Sequence, residues 1–374
     1  MNSTLTAQER PHLERALELA ERGRGAVSPN PLVGAVVVRD GEPIGEGWHA
    51  ELGGLHAERA ALEDCRRHGH DPACATLYVT LEPCAHQGRQ PPCAEAVLKA
   101  GVARVVIASD DPSEKASGRG PGILRDGGVE VAFVAAGEAA AARLLNQPFR
   151  KHARTGLPHV TLKLALSLDG HVATAGGDSR WISGEQSRSL VHRWRGECDA
   201  IAVGIGTVLA DDPLLTARGP ETPRQPTRVV FDSAARLPLT SQLLATVGES
   251  QLLVVASPEA ERSRIAELKS AGAEVVIAGG GTTADRVRSA LADLGRRELT
   301  SLLLEGGPTL AGAFVEAGEV DEIRVFVAPL VIGGGRAAVE GTGAATIADA
   351  GRALAVEAET VGEDILVRAR LREW

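Results

Sequence analysis

The sequence lacks the features that mark a membrane or a secreted protein. No apolar run approaches the roughly 20 residues that cross a bilayer. The polar opening MNSTLTAQERP has no apolar segment typical of a signal peptide. The cysteines number five, an odd count that does not suggest a disulfide framework. We therefore expect a cytoplasmic protein without membrane contact, in which clustered cysteines more often bind a metal or serve catalysis.

An excess of positive charge is also lacking. The 40 Lys and Arg residues are outnumbered by 49 Asp and Glu, which gives a formal net charge of −9. Because nucleic-acid-binding domains are usually basic, we expect no nucleic-acid partner. A local basic pocket that binds one phosphate is still compatible with this net charge. An apolar content of 44% is ordinary for a globular protein, and 374 residues favour two domains over one.

Strands and helices alternate in two series, which predicts an α/β fold. The first series contains the hairpin VGAVVVRDGEPIGEGW, with its turn at Asp40-Gly41, then the helix HAERAALEDCRRHG and the strand ATLYVTL. Residues 146 to 158, NQPFRKHARTGLP, are basic and contain two prolines and a glycine, as is typical of a linker. We predict domains at residues 1–148 and 149–374.

The segments HAERAAL and EPCAHQGRQPPC contain the residues that point to a chemical reaction. His56, Cys84 and Cys93 are typical zinc ligands, and three protein ligands leave the fourth tetrahedral position open for water. Zinc lowers the pKa of such a water to about 7. Glu58, a carboxylate that is not a ligand, can then move a proton to a leaving amine. The pattern predicts a zinc-dependent hydrolytic deaminase.

The spacing of the two cysteines is unusual. Cys84 and Cys93 are nine positions apart, whereas the common deaminase signature is Pro-Cys-x-x-Cys. Prolines 91 and 92 suit the first turn of a helix, which would return Cys93 to the metal. His56 and Glu58 can reach one metal only near a helix start, because residues two apart lie about 200° apart around a helix. Both halves of the site are thus predicted at helix N-termini, where the dipole favours a thiolate.

Two alternatives stay open on the residues alone. The chain could be a zinc deaminase of another nucleotide or nucleobase, fused to a reductase-like domain. It could also be a structural zinc module on a reductase, which would need a fourth ligand such as His86 or Cys74.

Glycine-rich strand ends distinguish the second half. LLLEGGPTLAGAF predicts a buried strand, a turn at Gly306-Gly307 and a helix start whose free N–H groups suit a pyrophosphate. VGIGTVLADDPLLTAR predicts a strand, a glycine turn and a polar loop. Its G-x-G lacks the rest of the dinucleotide fingerprint and is weak evidence for such a site.

Motifs in both halves resemble a single family. PNPLVGAVVV, HAERAAL, TLEPCAHQGRQPPC and GVARVVIASDDP resemble the deaminase half of the bifunctional riboflavin-biosynthesis deaminase–reductases. SLDG, SRWISG, GTVLADDPLLTAR, FDS, EGGPTLAGAF and APLVIGGG resemble the reductase half. The resemblance implies a cytidine-deaminase-like three-layer domain followed by a dihydrofolate-reductase-like α/β domain.

The same resemblance implies the reactions. Zinc would serve the deamination of 2,5-diamino-6-(5-phosphoribosylamino)pyrimidin-4-one, and NADPH would then reduce the ribosyl group to give 5-amino-6-(5-phosphoribitylamino)uracil. The partners would be this phosphorylated pyrimidine and further copies of the chain, in a dimer or tetramer.

Site residues also follow from the resemblance. It assigns zinc to His56, Cys84 and Cys93 and proton transfer to Glu58, and it places Asn30 and His86 in the pyrimidine pocket. The implied cofactor contacts are Ala165, Trp181, Thr207, Asp211, Ser233, Gly307, Pro308, Thr309, Leu310, Ala311, Gly312 and Ala313. The implied substrate contacts of the second half are Ser179, Arg195, Leu215, Arg218 and Glu305. The residues alone do not distinguish NADPH from NADH, because they reveal no clamp for a 2′-phosphate.

Overall fold

The computed structural model describes residues 2–85, 87, 91–114, 116–219, 222 and 224–374. The chain divides into two compact units, of which the first ends at Thr155 and includes Trp374, and the second spans Gly156–Glu373. Among the described residues, no helix combines the length and the apolar character needed to cross a membrane.

The first unit contains six strands and six helices within the described residues. Its strands are β1 (Asn2–Ser3), β2 (Gly34–Arg39), β3 (Glu42–Trp48), β4 (Thr76–Val79), β5 (Arg104–Ile107) and β6 (Glu130–Val134). Its helices are α1 (Arg10–Glu21), α2 (Ala57–Arg67), α3 (Cys93–Lys99), α4 (Arg119–Asp126), α5 (Ala136–Leu145) and α6 (Gln147–Thr155).

The first unit has three layers, a central sheet with helices on both faces. The strands form one sheet in the order β1-β6-β5-β4-β2-β3. Because side chains alternate along a strand, Leu77 and Val105 pack against α2, α3 and α4 on one face, while Tyr78 and Val106 pack against α1 and α5 on the other. The prediction of a three-layer α/β domain is confirmed.

The hairpin between β2 and β3 forms as predicted. Asp40 and Gly41 both have positive φ, 51° and 83°, as a two-residue type I′ turn requires. Gly47 on β3 packs directly beneath α2, since a Cβ added there would lie 2.3 Å from the backbone nitrogen of Ala61. This close approach fixes α2 against the sheet.

The predicted linker is largely helical. Residues 147–155 form α6, on which Gln147, Arg150 and Lys151 are buried. The predicted boundary after residue 148 falls inside this helix, whereas the two compact units divide after Thr155, within the predicted linker stretch 146–158. Polar side chains occupy the buried face of α6, so their burial was not visible as an apolar pattern.

The second unit is built around a larger sheet. Its strands are β7 (His159–Ser167), β8 (His171–Thr174), β9 (Ala200–Gly204), β10 (Thr227–Phe231), β11 (Leu252–Ala256), β12 (Glu274–Ile277), β13 (Ser301–Leu304), β14 (Glu322–Ala328), β15 (Gly335–Ala337), β16 (Ala355–Val361) and β17 (Asp364–Arg370). Its helices are α7 (Glu185–Glu197), α8 (Ile205–Asp211), α9 (Gln242–Ala245), α10 (Arg262–Ser270), α11 (Thr283–Arg296) and α12 (Pro308–Glu316), with a 3-10 turn at Ile347–Asp349.

Nine of these strands form the sheet β12-β11-β10-β9-β13-β7-β14-β17-β16, and β8 pairs with β15. The strands from β12 to β14 run parallel, so their carboxyl ends share one edge. In such sheets ligands bind at that edge. One predicted detail was wrong: the residues after β9 form helix α8 rather than a glycine turn.

Candidate metal centre and dinucleotide cavity

The candidate metal ligands lie at the starts of two helices and after one strand. His56 is the N-cap residue of α2, with extended backbone angles, and Glu58 lies in the first turn of that helix. Cys84 follows β4, and Cys93 is the first residue of α3 with Pro92 at its N-cap. The chain therefore places both ligand halves at helix N-termini, as the sequence predicts.

The distances between the ligand atoms fit zinc. Nδ1 of His56 lies 3.5 Å from Sγ of Cys84 and 3.4 Å from Sγ of Cys93. Zinc–sulfur bonds of about 2.3 Å and zinc–nitrogen bonds of about 2.0 Å, at a tetrahedral angle, separate nitrogen from sulfur by about 3.5 Å. All three ligand atoms lie within 4.8 Å of one another, so a single ion can reach them.

Backbone contacts hold the two cysteines together across the long insertion. The amide of Cys93 donates to Sγ of Cys84 at 3.3 Å, and the amide of Ala94 donates to the Cys84 carbonyl at 3.1 Å. Arg59 on α2 donates to the carbonyls of Pro91 and Pro92, at 3.3 and 3.2 Å. The start of α3 is thus fixed to α2 as well as to Cys84.

Electrostatics at the centre favour a metal and a proton carrier. The neighbouring Cys93 thiol lowers the pKa of Cys84 to about 4, and His56 acts in the same direction. A thiolate beside an imidazole is the kind of donor set that zinc prefers. Burial raises the pKa of Glu58 to about 7, and the charge on Cys84 adds to this effect. A carboxyl group with that pKa can both accept and return a proton near neutral pH.

Asn30 lies close to the metal centre through a histidine that the sequence analysis did not single out. Its Nδ2 is 3.0 Å from Nε2 of His49, whose Nδ1 is 2.9 Å from the Leu55 carbonyl. The His49 ring is buried and packs edge-on against the His56 ring, with centroids 5.3 Å apart. His86, the other predicted pocket residue, lies outside the described residues.

A structural zinc site would need a fourth protein ligand, and the described part of the chain provides none within reach of the same ion. There the only group of potential ligands within reach of one ion is the set of three already named. Cys74 is exposed and outside this group. Three ligands leave a position for water, which is the arrangement of a catalytic site.

A cavity of about 1390 Å³ lies in the second unit, along the carboxyl ends of the parallel strands. The predicted cofactor contacts that line it are Ala165, Trp181, Thr207, Asp211, Ser233, Gly307, Pro308, Thr309, Leu310 and Ala313. The predicted substrate contacts that line it are Ser179, Arg195, Leu215, Arg218 and Glu305. Residues spread over the whole unit in sequence are thus collected on one surface.

Two predicted cofactor contacts do not line this cavity. Ala311 packs in the core of the unit. Gly312 faces the backbone of Glu340, since a Cβ there would lie 1.5 Å from the Glu340 carbonyl oxygen. The turn of α12 directs these two positions away from the cavity. Its first residues, after the N-cap Gly307, still present the free N–H groups that suit a pyrophosphate.

Arg195 lines the cavity and is paired there with Glu305, another predicted substrate contact. Its guanidinium donates two hydrogen bonds to the Glu305 carboxylate, at 2.7 and 2.9 Å. Burial alone would raise the pKa of Glu305, but Arg195 outweighs it and the pKa is lowered. Arg195 therefore favours an ionised Glu305, and Arg218 is the more exposed of the two arginines among the predicted substrate contacts.

Lys163 is a cavity residue that the sequence analysis missed. It lies on β7, and burial lowers the pKa of its ammonium group although Glu305 opposes this. The available signal was a single lysine among the apolar residues in the middle of the strand HVTLKLALS. Asp169, which the motifs left without a role, accepts the amides of Ile332 and Gly333 at 3.0 and 2.7 Å and ties two loops together.

The comparisons with known proteins agree with this geometry. The sequence matches the zinc-binding region of cytidine and deoxycytidylate deaminases over residues 6–109, and the RibD C-terminal domain over residues 158–367. The riboflavin biosynthesis protein RibD of Actinobacillus pleuropneumoniae is 39% identical, over 98% of this chain and 96% of its own. The RibD protein of Escherichia coli K12 is 38% identical, over 96% of this chain and 98% of its own.

Solved structures give the same result. A diaminohydroxyphosphoribosylaminopyrimidine deaminase/5-amino-6-(5-phosphoribosylamino)uracil reductase from Thermotoga maritima superposes with a TM-score of 0.86 at 34% identity, over 98% of this chain and 99% of that one. RibD from Acinetobacter baumannii, in its form 1, gives a TM-score of 0.86 at 38% identity with the same coverage. With both halves matched in order, the chain belongs to the RibD family of riboflavin biosynthesis proteins, enzymes that join a zinc-binding deaminase domain to a reductase domain.

Proposed function

We propose that this chain catalyses two successive steps of riboflavin biosynthesis, a hydrolytic deamination in the first unit and an NADPH-dependent reduction in the second. The first substrate is 2,5-diamino-6-(5-phosphoribosylamino)pyrimidin-4-one, and the final product is 5-amino-6-(5-phosphoribitylamino)uracil. The observation that carries the proposal is the convergence of His56, Cys84 and Cys93 beside the buried Glu58, in a chain that matches RibD proteins over nearly its whole length.

In the deamination, the protein supplies a metal cradle and a proton carrier. When held by His56, Cys84 and Cys93, zinc provides a water that is nucleophilic at neutral pH. Glu58 accepts a proton from this water and returns it to the departing amine, so that a C–O bond forms, the C–N bond breaks and ammonia leaves. Asn30, whose Nδ2 contacts Nε2 of His49, would bind the pyrimidine ring.

In the reduction, residues that line the cavity of the second unit would hold the cofactor and the sugar of the substrate. NADPH bound there would supply a hydride to C1′ of the ribosyl group. Opening of the sugar ring leaves its ring oxygen in need of a proton, and Lys163 is placed to donate it. Lys163 lies on β7 and Glu305 directly follows the neighbouring strand β13, and both residues line the cavity. Arg195 keeps Glu305 ionised, and Arg218 binds the 5′-phosphate.

The decisive experiment separates the two steps. The purified, zinc-loaded chain is given the diaminopyrimidine phosphate, and ammonia release and NADPH oxidation are recorded together. We expect ammonia without NADPH, and NADPH oxidation only after ammonia has been released. Ammonia release from cytidine or guanine, but not from the diaminopyrimidine, would instead favour a deaminase of another nucleobase.

The proposal also covers the oligomeric state of the protein and its cellular compartment. We propose a homo-oligomer, a dimer or tetramer, because the edge strand β16 exposes Val356 next to an exposed Leu354. Sedimentation velocity of the purified chain tests this, and a monomer at micromolar concentration would contradict it. The cytoplasm is the proposed location, since all five cysteines are free thiols and two of them must stay reduced to bind zinc.

A further inference from the structure

His192 lines the cavity of the second unit, and the proposed reduction gives it no task. We propose that Nε2 of His192 accepts a hydrogen bond from the hydroxyl group on C2′ or C3′ of the substrate's sugar, and that this contact helps to select a ribosyl substrate. The inference rests on the proposed reductase function and adds a specificity-determining residue to it.

Helix α7 presents His192 on the face that lines the cavity. Arg188, His192 and Arg195 follow one another at spacings of four and three residues, which brings them onto one face of a helix, and all three line the cavity. Val191 and Trp194 of the same helix are buried in a hydrophobic cluster of the unit. The position of His192 is therefore set by a packed helix rather than by a free loop.

The hydrogen bond of the His192 ring determines which nitrogen bears the proton. Nδ1 lies 3.2 Å from the carbonyl oxygen of Thr216. Because a carbonyl oxygen can only accept, Nδ1 is the donor, and in the neutral ring Nε2 then has a lone pair to offer. Within the described part of the chain, no group donates a hydrogen bond to Nε2. The ring thus offers the cavity an acceptor.

The surroundings of the ring keep it neutral. Burial lowers the pKa of His192, and the positive charges of Arg195 and Arg218 act in the same direction, against the Thr216 carbonyl and the Glu305 carboxylate. A neutral ring with a lone pair at Nε2 needs a donor as its partner. A sugar hydroxyl group can donate, whereas the oxygen atoms of an ionised phosphate only accept. The partner is therefore a hydroxyl group rather than the phosphate.

Thr216 places His192 between the two ends of the proposed sugar site. The Thr216 carbonyl also accepts from Nη1 of Arg195 at 3.3 Å, and Arg195 is paired with Glu305. Oγ1 of Thr216 accepts from Nε of Arg218, also at 3.3 Å. In the proposed reduction Glu305 belongs to the end at C1′ and Arg218 to the end at the 5′-phosphate. His192 is then nearest to the middle of the sugar, where C2′ and C3′ bear their hydroxyl groups.

The test is the variant His192→Asn in the full, zinc-loaded chain. Asparagine has an NH2 group close to the place of Nδ1, so it can still donate to the Thr216 carbonyl, but it has nothing in the place of Nε2. NADPH oxidation is measured with 5-amino-6-(5-phosphoribosylamino)uracil and with its 2′-deoxy and 3′-deoxy analogues. NADPH binding, measured by calorimetry, shows whether the variant is folded. Arg193→Gln, exposed on the same helix and outside the cavity lining, is the matched control.

We expect the unaltered chain to have a KM about fivefold higher for one of the two deoxy analogues than for the ribosyl compound, as for one neutral hydrogen bond. His192→Asn should raise the KM of the ribosyl compound by the same factor and leave that of this deoxy analogue unchanged. Its kcat and its dissociation constant for NADPH should stay the same, because the lost contact is made equally in the ground state and the transition state.

Three results would contradict the inference while leaving the reductase function in place. They are an unchanged KM of the ribosyl compound in His192→Asn, an equal rise for all three compounds, which would indicate that His192 only positions Thr216, and equal KM values of the unaltered chain for all three. A weaker affinity for NADPH with an unchanged KM would assign Nε2 to the cofactor and contradict it too. If the unaltered chain oxidises no NADPH with the ribosyl compound, the proposed reductase function itself fails.

Discussion

In the proposed deamination, Glu58 is the residue that carries the proton. The residue is 3% exposed and lies in the first turn of α2, and burial raises the pKa of its carboxyl group to about 7. Those properties suit a group that must accept a proton and return it within one catalytic cycle.

We predict that Glu58→Gln lowers ammonia release by about 100-fold or more, the usual contribution of a positioned acid–base group. The amide keeps the size of the side chain, and the three metal ligands are unchanged, so zinc content should remain that of the unaltered chain. Glu63→Gln, on the exposed face of the same helix, is the matched control. Ammonia release at the normal rate in Glu58→Gln would refute the proton-carrier role.

Arg195 provides a second prediction at the scale of one residue. Its paired hydrogen bonds to Glu305 need a planar guanidinium, which lysine does not have. We expect Arg195→Lys to lower kcat of the reduction about tenfold, while the dissociation constant of NADPH and the rate of ammonia release stay the same. A rise in the NADPH dissociation constant, with kcat unchanged, would instead make Arg195 a cofactor contact.

The grouping of the candidate ligands His56, Cys84 and Cys93 was predictable from the sequence because local rules determine where their helices begin. His56 precedes a helical pattern, and prolines precede Cys93, so both helix starts can be read without knowledge of the fold. The pairing of Lys163 or Arg195 with Glu305 joins residues more than a hundred positions apart, and no local pattern encodes it.

At the scale of elements, the contact between β3 and α2 is what holds the metal centre in place. Glycines at 45 and 47 let the helix backbone approach the strand, with Ala57 and Ala61 as the facing residues at Gly47. The start of α2 bears His56 and Glu58, so a shift of this helix moves a zinc ligand and the proton carrier together.

Gly47→Ala should therefore damage both stability and metal binding. The added methyl group would lie 2.3 Å from the Ala61 nitrogen and 2.6 Å from the Ala57 carbonyl, and neither backbone atom can move independently of the helix. We expect the free energy of unfolding to fall by about 3 kcal/mol and the zinc affinity to drop, measured by urea denaturation and competition with a chelator.

A glycine with free space provides the control for this substitution. Within the described part of the chain, no atom lies within 4 Å of a Cβ placed at Gly137 in α5, apart from its chain neighbours and the backbone of its own helix. Gly137→Ala should raise the free energy of unfolding by up to about 1 kcal/mol, as for glycine to alanine in a helix. If Gly47→Ala behaved in the same way, the close approach of β3 and α2 would be unimportant.

The element that the sequence did not reveal is α6. Its buried face carries Arg150, which donates to the Asp110 carbonyl at 2.8 Å and to the Trp374 carbonyl at 2.6 Å. These partners are 40 and 224 positions away in the chain. A basic segment with two prolines resembles a linker until such distant acceptors are known.

At the scale of the whole molecule, the strand order of the second sheet was the largest feature beyond sequence reasoning. β13 lies between β7 and β9, although it follows β12 in the chain. This placement brings Glu305 and Gly307 between Ala165 and Thr207. The alternation of strands and helices predicts a covered parallel sheet but not the order of its strands.

Each site is built from the residues of one unit, so we expect the two activities to be separable. Glu58→Gln should retain only the reduction, and Glu305→Gln only the deamination. Neither variant alone should convert the diaminopyrimidine phosphate to the ribityl product, whereas an equimolar mixture should do so after a lag. Product formation is followed by mass spectrometry.

The unmixed variants are the controls, each supplied with the substrate of its intact site. If both retain the expected single activity and the mixture still forms no ribityl product, the intermediate does not pass through solution. The expectation of independent sites would then be wrong.

Because the candidate ligands are far apart in the sequence, a bound metal ion would also act as a removable cross-link of the chain. His56 and Cys84 are 28 positions apart and Cys93 lies nine further on, so a bound ion closes two loops of the chain at once. In the entropic model, closing the longer loop, between His56 and Cys84, lowers the conformational entropy of the unfolded chain by an amount worth about 3.5 kcal/mol. Chelation should therefore lower the melting temperature of the first unit in calorimetry and leave that of the second unchanged. An equal shift in both transitions would contradict this expectation.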